Sequence, residues 1–331
     1  MCHNLMIKKE SIEIKGIKLK SFKDIILSNS LMGLIASNVL AANVQFNFSL
    51  TPIAENVYSI VSPSLGLPTP ENKGWNSNSH FVVTEKGVLL FDTGSSESID
   101  NAIKSAIQSV TDIPVRWVVN SHSHGVHWLG NAAFTDTDTE IIASNQAITT
   151  MKKYGQGDVE FYSRVTKGAI GSAQLAYPTL LLTQKQKRNF GGVDVEFIFS
   201  NDAHSSVDLL MWLPEQKIIF GGDVLSSDWM PLVGDGNIPN LIDTLYSIAK
   251  LNPTIVLPGH VKATTVKSVI RDADLLLNVR KQVKASNEKD KNPDQILVDV
   301  RAKLGPKYRP LYNDFTSEIE RHVKLMYKLQ Q

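Results

Sequence analysis

Apolar positions follow two different spacings along this chain, and the two spacings alternate. Short continuous apolar runs predict strands, whereas apolar residues recurring every third or fourth position predict amphipathic helices. The predicted strands are 57–61, 81–84, 88–91, 115–119, 141–143, 193–199, 209–213, 218–220 and 254–257. The predicted helices are 96–110, 146–155, 158–170, 238–251 and a helical region from Lys262 onward, with breaks near 292–293 and 305–306. This order predicts an α/β fold with two sheets packed face to face and helices outside, a four-layer αββα sandwich.

The first 41 residues have a different pattern. Six lysines precede an uncharged, partly apolar stretch from Ile25 to Ala42, and Val39-Leu40-Ala41 offers small residues before a cut. A basic N-terminal region, an apolar central region and small residues before the cleavage site are typical of a secretory signal peptide. Because Ser and Asn residues dilute the apolar stretch, an ordinary buried helix is the alternative interpretation. The stretch is also shorter than the ~20 apolar residues that span a bilayer.

These patterns divide the chain into three parts. We predict a signal peptide over residues 1–41, an αββα domain over 42–265, and a C-terminal helical extension over 266–331 that packs on that domain. Export then places the protein in the periplasm, with no stable membrane insertion after cleavage. The sequence leaves the oligomeric state open.

Composition and charge exclude several classes of protein. The 331 residues include 34 basic and 33 acidic side chains, with 42% hydrophobic and 20% charged residues. These ordinary globular values exclude wholesale disorder, and the near-neutral balance provides no basic surface for nucleic acid. We therefore expect a small-molecule substrate and no nucleic-acid partner. Cys2 is the single cysteine, so an intramolecular disulfide is impossible.

Histidines carry the candidate chemistry. Three of the eight histidines lie within the six residues from His122 to His127, directly after a predicted strand. Neutral imidazole is a preferred ligand of Zn²⁺, and histidines two positions apart on a turn can share one ion. A polar turn with solvated histidines is the alternative for this segment alone.

Three further residues occupy comparable positions. His204 precedes the strand 209–213, Asp223 follows the strand 218–220, and His260 follows the strand 254–257. Each is weak by itself, since an Asp after a strand often caps a helix. Together they place metal-compatible side chains on several loops at strand ends, which favours a metal site.

These motifs resemble those of the metallo-β-lactamase-fold hydrolases. The family motif His-x-His-x-Asp-His, followed by Gly-Asn, is similar to His122-Ser-His-Gly-Val-His127-Trp-Leu-Gly-Asn131. Asp92-Thr93-Gly94 and the loops of His204, Asp223 and His260 match later motifs in the family's order, from about Val57 to about Thr264. The resemblance implies the αββα fold and a zinc site.

The resemblance also implies a role for each matching residue. His122, His124 and His204 would hold a first zinc, and His127 and His260 a second, with Asp223 bridging or shared. Asp223 and His260 would take part in catalysis. Asp92 would orient a ligating histidine, although a plain turn residue is its alternative. The pairing of His127 with Asp223 resembles the glyoxalase II arrangement.

One residue departs from the family pattern. The motif aspartate is Val126 here, and valine neither coordinates a metal nor accepts a proton. We therefore expect one firmly bound zinc and a second, weaker one.

The resulting prediction is a zinc-dependent hydrolase in which a metal-activated hydroxide attacks a carbonyl. The substrate would be a β-lactam, thioester, lactone or ester. His127 and Asp223 favour glyoxalase II-like or lactonase-like chemistry, whereas export favours β-lactamase-like chemistry. The alternative is a catalytically weakened or inactive metal-binding homologue, because of Val126.

Overall fold

The computed structural model of the chain describes residues 46, 48–63, 66–135, 138–171 and 173–329. The predicted signal segment, residues 1–41, lies outside the described residues. Within the described part, two β-sheets pack face to face with α-helices on both outer sides, which confirms the predicted αββα architecture. None of the described helices is both long and apolar enough to cross a membrane.

The first sheet has seven strands arranged in chain order. The strands from β1 to β4 pair antiparallel, and those from β4 to β7 pair parallel. They are β1 Leu50–Ala54, β2 Val57–Ile60, β3 Ser79–Val83, β4 Val88–Phe91, β5 Val115–Val119, β6 Glu140–Ser144 and β7 Leu180–Leu182.

The second sheet has five strands in the order β12-β11-β10-β9-β8. Its neighbours pair antiparallel, except that β11 and β12 run parallel. The strands are β8 Gln186–Phe190, β9 Val193–Asn201, β10 Val207–Leu213, β11 Ile218–Phe220 and β12 Ile255–Leu257.

Six α-helices occur among the described residues. They are α1 Glu97–Gln108, α2 Asn145–Val165, α3 Ile238–Leu251, α4 Val266–Asn287, α5 Pro293–Tyr308 and α6 Phe315–Lys328. Two sequence predictions about helices were wrong. Residues 146–155 and 158–170 belong largely to the single helix α2, where Gly155 allows the Trp128 ring to pack closely against the backbone. The break expected at 305–306 lies inside α5, because Pro306 falls in its last turn.

Apolar side chains form three layers that hold the sandwich together. Between the sheets, the buried residues of both inner faces include Leu89, Phe91, Val119, Phe197, Leu209 and Phe220. On the outside of the first sheet, α1 buries Ile99, Ile103 and Ile107, which share one helical face. On the outside of the second sheet, α3 packs together with α4, α5 and α6 in the largest cluster. Burial of apolar area at ~25 cal/mol per Å² is the main force holding these layers together.

Several loops at strand ends meet at one edge of the sandwich. The Leu209 N–H donates to the Ser121 carbonyl at 2.7 Å, which ties the start of β10 to the loop after β5. The Gly259 N–H donates to the Gly222 carbonyl at 2.8 Å, which joins the loops after β12 and β11. This edge therefore carries all the loops from which the sequence predicted metal ligands.

Candidate metal centre

Five imidazoles and one carboxylate converge at this edge. One group consists of His122, His124, His204 and Asp223, and a second of His127, Asp223 and His260; within each group the ligand atoms lie within 4.8 Å of one another. The structure thus brings together all six residues for which the sequence predicted a metal-binding role. Asp223 belongs to both groups.

The first group has the spacing of a tetrahedral ligand set. His124 Nδ1 lies 2.9 Å from His122 Nε2 and 3.1 Å from His204 Nε2. Ligand nitrogens bound to zinc at 2.0–2.1 Å on neighbouring corners of a tetrahedron are about 3.4 Å apart. Small outward shifts of the rings would therefore suffice for these three nitrogens to share an ion.

Asp223 directs one carboxylate oxygen towards each group. Its Oδ1 lies 3.3 Å from both His127 Nε2 and His260 Nε2. Its Oδ2 lies 3.4 Å from His204 Nε2 and 3.8 Å from His122 Nε2. This placement suits a carboxylate that is shared between two ions.

The outer nitrogen of every ring has its own hydrogen-bond acceptor. Assigned from this network, each outer nitrogen carries a proton, so the inner nitrogen is the one that can bind a metal at the centre. The five pairs are His122 Nδ1 with Ser121 Oγ at 2.9 Å, His124 Nε2 with Asp235 Oδ2 at 3.2 Å, His127 Nδ1 with Asp92 Oδ2 at 3.0 Å, His204 Nδ1 with the Leu232 carbonyl at 3.1 Å, and His260 Nδ1 with the Asn76 carbonyl at 2.6 Å.

Two atoms at the centre are buried and lack a hydrogen bond among the described residues. These are His127 Nε2 and Asp223 Oδ1. A buried polar atom without a partner costs about 1–3 kcal/mol, so native structures rarely retain one without a reason. A cation between them would satisfy both atoms. The donor set and these two unpaired atoms therefore fit a metal ion.

Charge at the centre favours a cation as well. Burial alone would lower the pKa of His127, but the Asp223 and Asp92 carboxylates outweigh burial and raise it to about 10. Burial alone would raise the pKa of Asp223, yet the surrounding histidines hold it well below its usual range. Two buried carboxylates thus flank one imidazole and require positive charge between them.

Asp92 is the residue that positions His127. Directly after β4, it adopts a left-handed backbone conformation with φ +59°, which Asp tolerates better than most residues. Its Oδ1 accepts the Ser121 N–H at 2.7 Å, and its Oδ2 accepts the Ser121 hydroxyl at 2.8 Å. Ser121 in turn accepts from His122, so the Asp92 carboxylate contacts one histidine directly and a second through Ser121.

Two loops approach the centre so closely that only glycine fits. A Cβ on Gly259 would contact Asp223 Oδ1 and would lie 3.0 Å from His127 Cε1. A Cβ on Gly234 would lie 2.7 Å from His124 Cε1 and 3.0 Å from the His204 carbonyl oxygen. These glycines let the backbone close over the ligand side chains.

Val126 lies in the short 3₁₀ helix Gly125–His127 and is 6% exposed. Its carbonyl oxygen accepts a hydrogen bond from Ser77 Oγ at 2.6 Å, which fixes the turn between His124 and His127. The second ligand group therefore contains two histidines and one carboxylate, with no contribution from position 126.

A cavity of about 510 Å³ opens from the metal centre. Its polar floor comes from His124, His204, Asp223 and His260. An apolar wall and residues of α6 enclose the rest; the lining residues are Gly66, Leu67, Trp229, Leu232, Val233, Gly234, Asp314, Ser317, Glu318 and Arg321. Neither α6 nor Asp235 was predicted from the sequence to contribute to the site.

The C-terminal helices also hold the loop Leu225–Gly236, which forms much of this wall. Five hydrogen bonds between described residues join them. Four loop carbonyl groups accept from the C-terminal segment: Ser227 from Arg271 Nη2, Asp228 from the Asn313 N–H, Pro231 from His322 Nε2, and Val233 from Arg321 Nη2. In the fifth, the Met230 N–H of the loop donates to Asp314 Oδ1. Because His204 Nδ1 donates to the Leu232 carbonyl in the same loop, the helical segment supports a ligand side chain indirectly.

Fold and site together define an αββα sandwich with a histidine-rich centre at the edge where the strand-end loops meet. The family model described as the metallo-beta-lactamase superfamily matches residues 72–260. This match covers more than half of the chain, and the chain therefore belongs to that superfamily, as the motifs predicted. Membership implies bound metal ions, in agreement with the His and Asp groups.

Known relatives are similar at low identity. The chain is 22% identical to metallo-beta-lactamase IND-1 of Chryseobacterium indologenes over 193 residues, which are 57% of this chain and 73% of that protein. Among solved structures, a metallo-beta-lactamase from Pontibacter korlensis matches with a TM-score of 0.58 and 18% identity, over 70% of this chain and all (100%) of that one. A double mutant of the sec-alkyl sulfatase PisA1 matches with a TM-score of 0.67 and 14% identity, over 86% of this chain and 50% of that one.

Proposed function

We propose that this chain is a zinc-dependent hydrolase that cleaves a β-lactam, a thioester, a lactone or an ester. The observation that carries the proposal is the set of five imidazoles whose outer nitrogens are anchored and whose inner nitrogens face Asp223. Such anchored rings are typical of metal ligands. The IND-1 relative is named for β-lactam cleavage, which supports including that substrate class.

The proposal assigns each side chain a task. His122, His124 and His204 would hold one ion, and His127, His260 and Asp223 a second and weaker one. Zinc held there would supply Lewis acidity and would lower the pKa of a bound water molecule towards neutrality. The Asp223 carboxylate, as an anion facing both groups, balances the added charge. Asp92 keeps the His127 proton on Nδ1, so that Nε2 can face the centre.

Val126 limits how the leaving group can be protonated. Its side chain can neither hold nor transfer a proton, so the leaving group has to take its proton from solvent in the open cavity. Each factor of ten lost in rate corresponds to only ~1.4 kcal/mol of barrier. The second candidate function is therefore a metal-binding protein with little or no catalysis, and the valine at position 126 is the observation that favours it.

A panel of substrates tests the proposal. The purified chain is assayed with a chromogenic cephalosporin, a thioester, a lactone, an aryl ester and a secondary alkyl sulfate, each with and without a chelator. Turnover that stops with chelator and returns with zinc would support a zinc hydrolase and identify its substrate class. His124→Ala should abolish that turnover and remove one equivalent of zinc. Zinc binding without turnover of any compound would favour the second candidate.

We also propose that the protein is exported and acts in the periplasm, on the basis of the pattern in residues 1–41. Mass spectrometry of the protein from expressing cells should give an N-terminus at Ala42 or Asn43. An intact N-terminus at Met1 in the cytosolic fraction would contradict export.

A further inference from the structure

We infer that Arg321 on α6 anchors a carboxylate group of the substrate in the cavity that opens from the metal centre. The inference rests on the proposed function, because it names a feature of the molecule that the centre would cleave. Arg321 lies outside residues 72–260, the part of the chain that the family model matches.

Helix α6 presents one face to the cavity. Its residues Ser317, Glu318 and Arg321 are spaced so that they share that face, and all three line the cavity. Among the described residues that line it, Arg321 is the only lysine or arginine. A substrate anion in this cavity would thus meet one permanent cation besides the metal centre.

Within the part of the chain that the structure describes, the guanidinium donates one hydrogen bond, and that bond holds the group in place. Nη2 donates to the Val233 carbonyl at 2.7 Å, which ties the group to the cavity wall. The side chain is 48% exposed, so a ligand can reach it. A guanidinium has five N–H donors in a planar fork that matches the two oxygens of a carboxylate. Preorganised donors of this kind lose little entropy when a ligand binds.

Two carboxylates near Arg321 do not occupy that fork. Glu318 Oε2 lies 3.7 Å from Nη1, too far for a hydrogen bond, and orients the guanidinium electrostatically. Asp314 Oδ1 accepts the Met230 N–H at 2.9 Å, and burial raises the pKa of Asp314. Neither carboxylate makes a bidentate contact with Arg321, so the fork remains open to a ligand.

The apolar wall completes the description of the ligand. Leu67, Trp229 and Leu232 line the same cavity and give it an apolar surface. A cavity of about 510 Å³ is within the range that holds small organic ligands. The substrate class is therefore a compound with a hydrolysable bond, an apolar body and a terminal carboxylate.

Binding of a matched pair of probes tests the inference without requiring turnover. The affinities of 4-fluorophenylacetate and neutral 4-fluorophenylacetamide for the zinc-loaded full chain are measured by ¹⁹F NMR titration. A charge-assisted hydrogen bond contributes enough to favour the anion by about 10- to 100-fold. Equal affinities, or a preference for the amide, would overturn the inference.

Variants separate Arg321 from the metal as the source of that preference. Arg321→Gln keeps a donor for the Val233 carbonyl but removes the charge, and it should abolish the preference for the anion. Arg321→Lys should retain part of it. Lys324→Ala is the matched control, because Lys324 lies on the same helix and pairs with Glu320 outside the cavity. A preference that survives in Arg321→Gln would come from the metal and would contradict the assignment.

Kinetics distinguish this inference from the proposed function itself. If aryl esters are cleaved, Arg321→Gln should raise KM about 10- to 100-fold for mono-4-nitrophenyl glutarate and leave kcat within about threefold. KM for the neutral methyl 4-nitrophenyl glutarate should not change. Absence of turnover with both esters would exclude aryl esters from the proposed substrate classes, whereas the NMR titration would still decide the role of Arg321.

Discussion

The Asp92 carboxylate accepts a hydrogen bond from His127 Nδ1 at 3.0 Å, and His127 Nε2 points to Asp223 Oδ1 at 3.3 Å. One imidazole thus lies between two buried carboxylates, and the first of them determines which nitrogen faces the second. Because only an unprotonated nitrogen can bind a metal, Asp92 controls the ligand capacity of His127 without contacting the ion.

Asp92→Asn should weaken the second metal site about 10- to 100-fold. Asparagine tolerates the left-handed backbone at this position, but its amide would donate to Nδ1 and move the ring proton to Nε2. Titration with zinc against a chromophoric chelator measures the change. Asp138→Asn, at a side chain that is 97% exposed, is the control. Two sites of unaltered affinity in Asp92→Asn would show that Asp92 does not set the tautomer.

Val126→Asp should tighten the second site and destabilise the metal-free protein. The new carboxylate would be buried next to His127, and an unpaired buried charge costs several kcal/mol unless a cation compensates it. Zinc should therefore raise the Tm of this variant by more than it raises the Tm of the original chain. Val126→Thr adds a polar atom without a carboxylate and should not gain zinc affinity. An equal zinc-induced shift in Tm for all three proteins would contradict the described turn.

Gly259→Ala should displace Asp223 and lower both metal occupancy and any turnover at least tenfold. The added methyl would contact Asp223 Oδ1 and the His127 ring, with backbone on its other side. Gly157→Ala is the matched control, since its Cβ would meet open space on α2 and should stabilise the helix by about 0.5–1 kcal/mol. Unchanged zinc stoichiometry in Gly259→Ala would show that the loop after β12 can move to accommodate the added methyl group.

Asp100 should make stability fall as pH rises. It is fully buried and accepts the Gly94 N–H with both oxygens, at 3.1 and 3.0 Å, and burial raises its pKa from 3.8 to about 8. Between those two values the native state retains a proton that the unfolded chain has lost. Its contribution is therefore complete below about pH 4 and is lost progressively up to about pH 8.

Asp100→Asn should remove that dependence, since an amide does not titrate in this range. The stability difference between variant and original should shift in favour of the variant by at most ~1.4 kcal/mol per pH unit between pH 5 and pH 8. Urea unfolding at pH 5, 6.5 and 8 measures it. Parallel stability curves for the two proteins would mean that Asp100 titrates normally.

Strands in the middle of the sheets were predictable from sequence, whereas most edge strands were not. β11 is apolar and buried throughout, β5 ends in the buried residues Val118 and Val119, and the predicted ranges 218–220 and 115–119 match them. The strands missed were β1, β7 and β8, and each lies at the edge of its sheet. An edge strand is hydrogen-bonded to a neighbouring strand along one side only, and its other side faces solvent. The sequence of β8 can therefore be the polar run Gln-Lys-Arg-Asn-Phe, and β1 can contain Pro52 and still pair with β2.

The six side chains of the centre could be predicted from their residue types, but the groups that hold these side chains in place could not. Histidine and aspartate at strand ends are visible in a sequence, and the fold brings the six predicted side chains together. The carbonyl groups of Asn76 and Leu232 also hold ligating rings, and every residue type has such a carbonyl. Arg321 lies well beyond the motifs, and Asp235 lies between the Asp223 and His260 motifs without belonging to either, so only tertiary structure reveals that they reach the site.

The contacts of α6 with the cavity have a consequence for how this protein could change. The ligands of the centre all lie between His122 and His260, whereas one cavity wall lies between Asp314 and Arg321. Substitutions along a single helix can therefore alter which molecules fit the cavity while every ligand stays in place. Part of the cavity lining is thus encoded outside the stretch that carries the candidate ligands, and selection can act on that part while the ligand stretch stays constant.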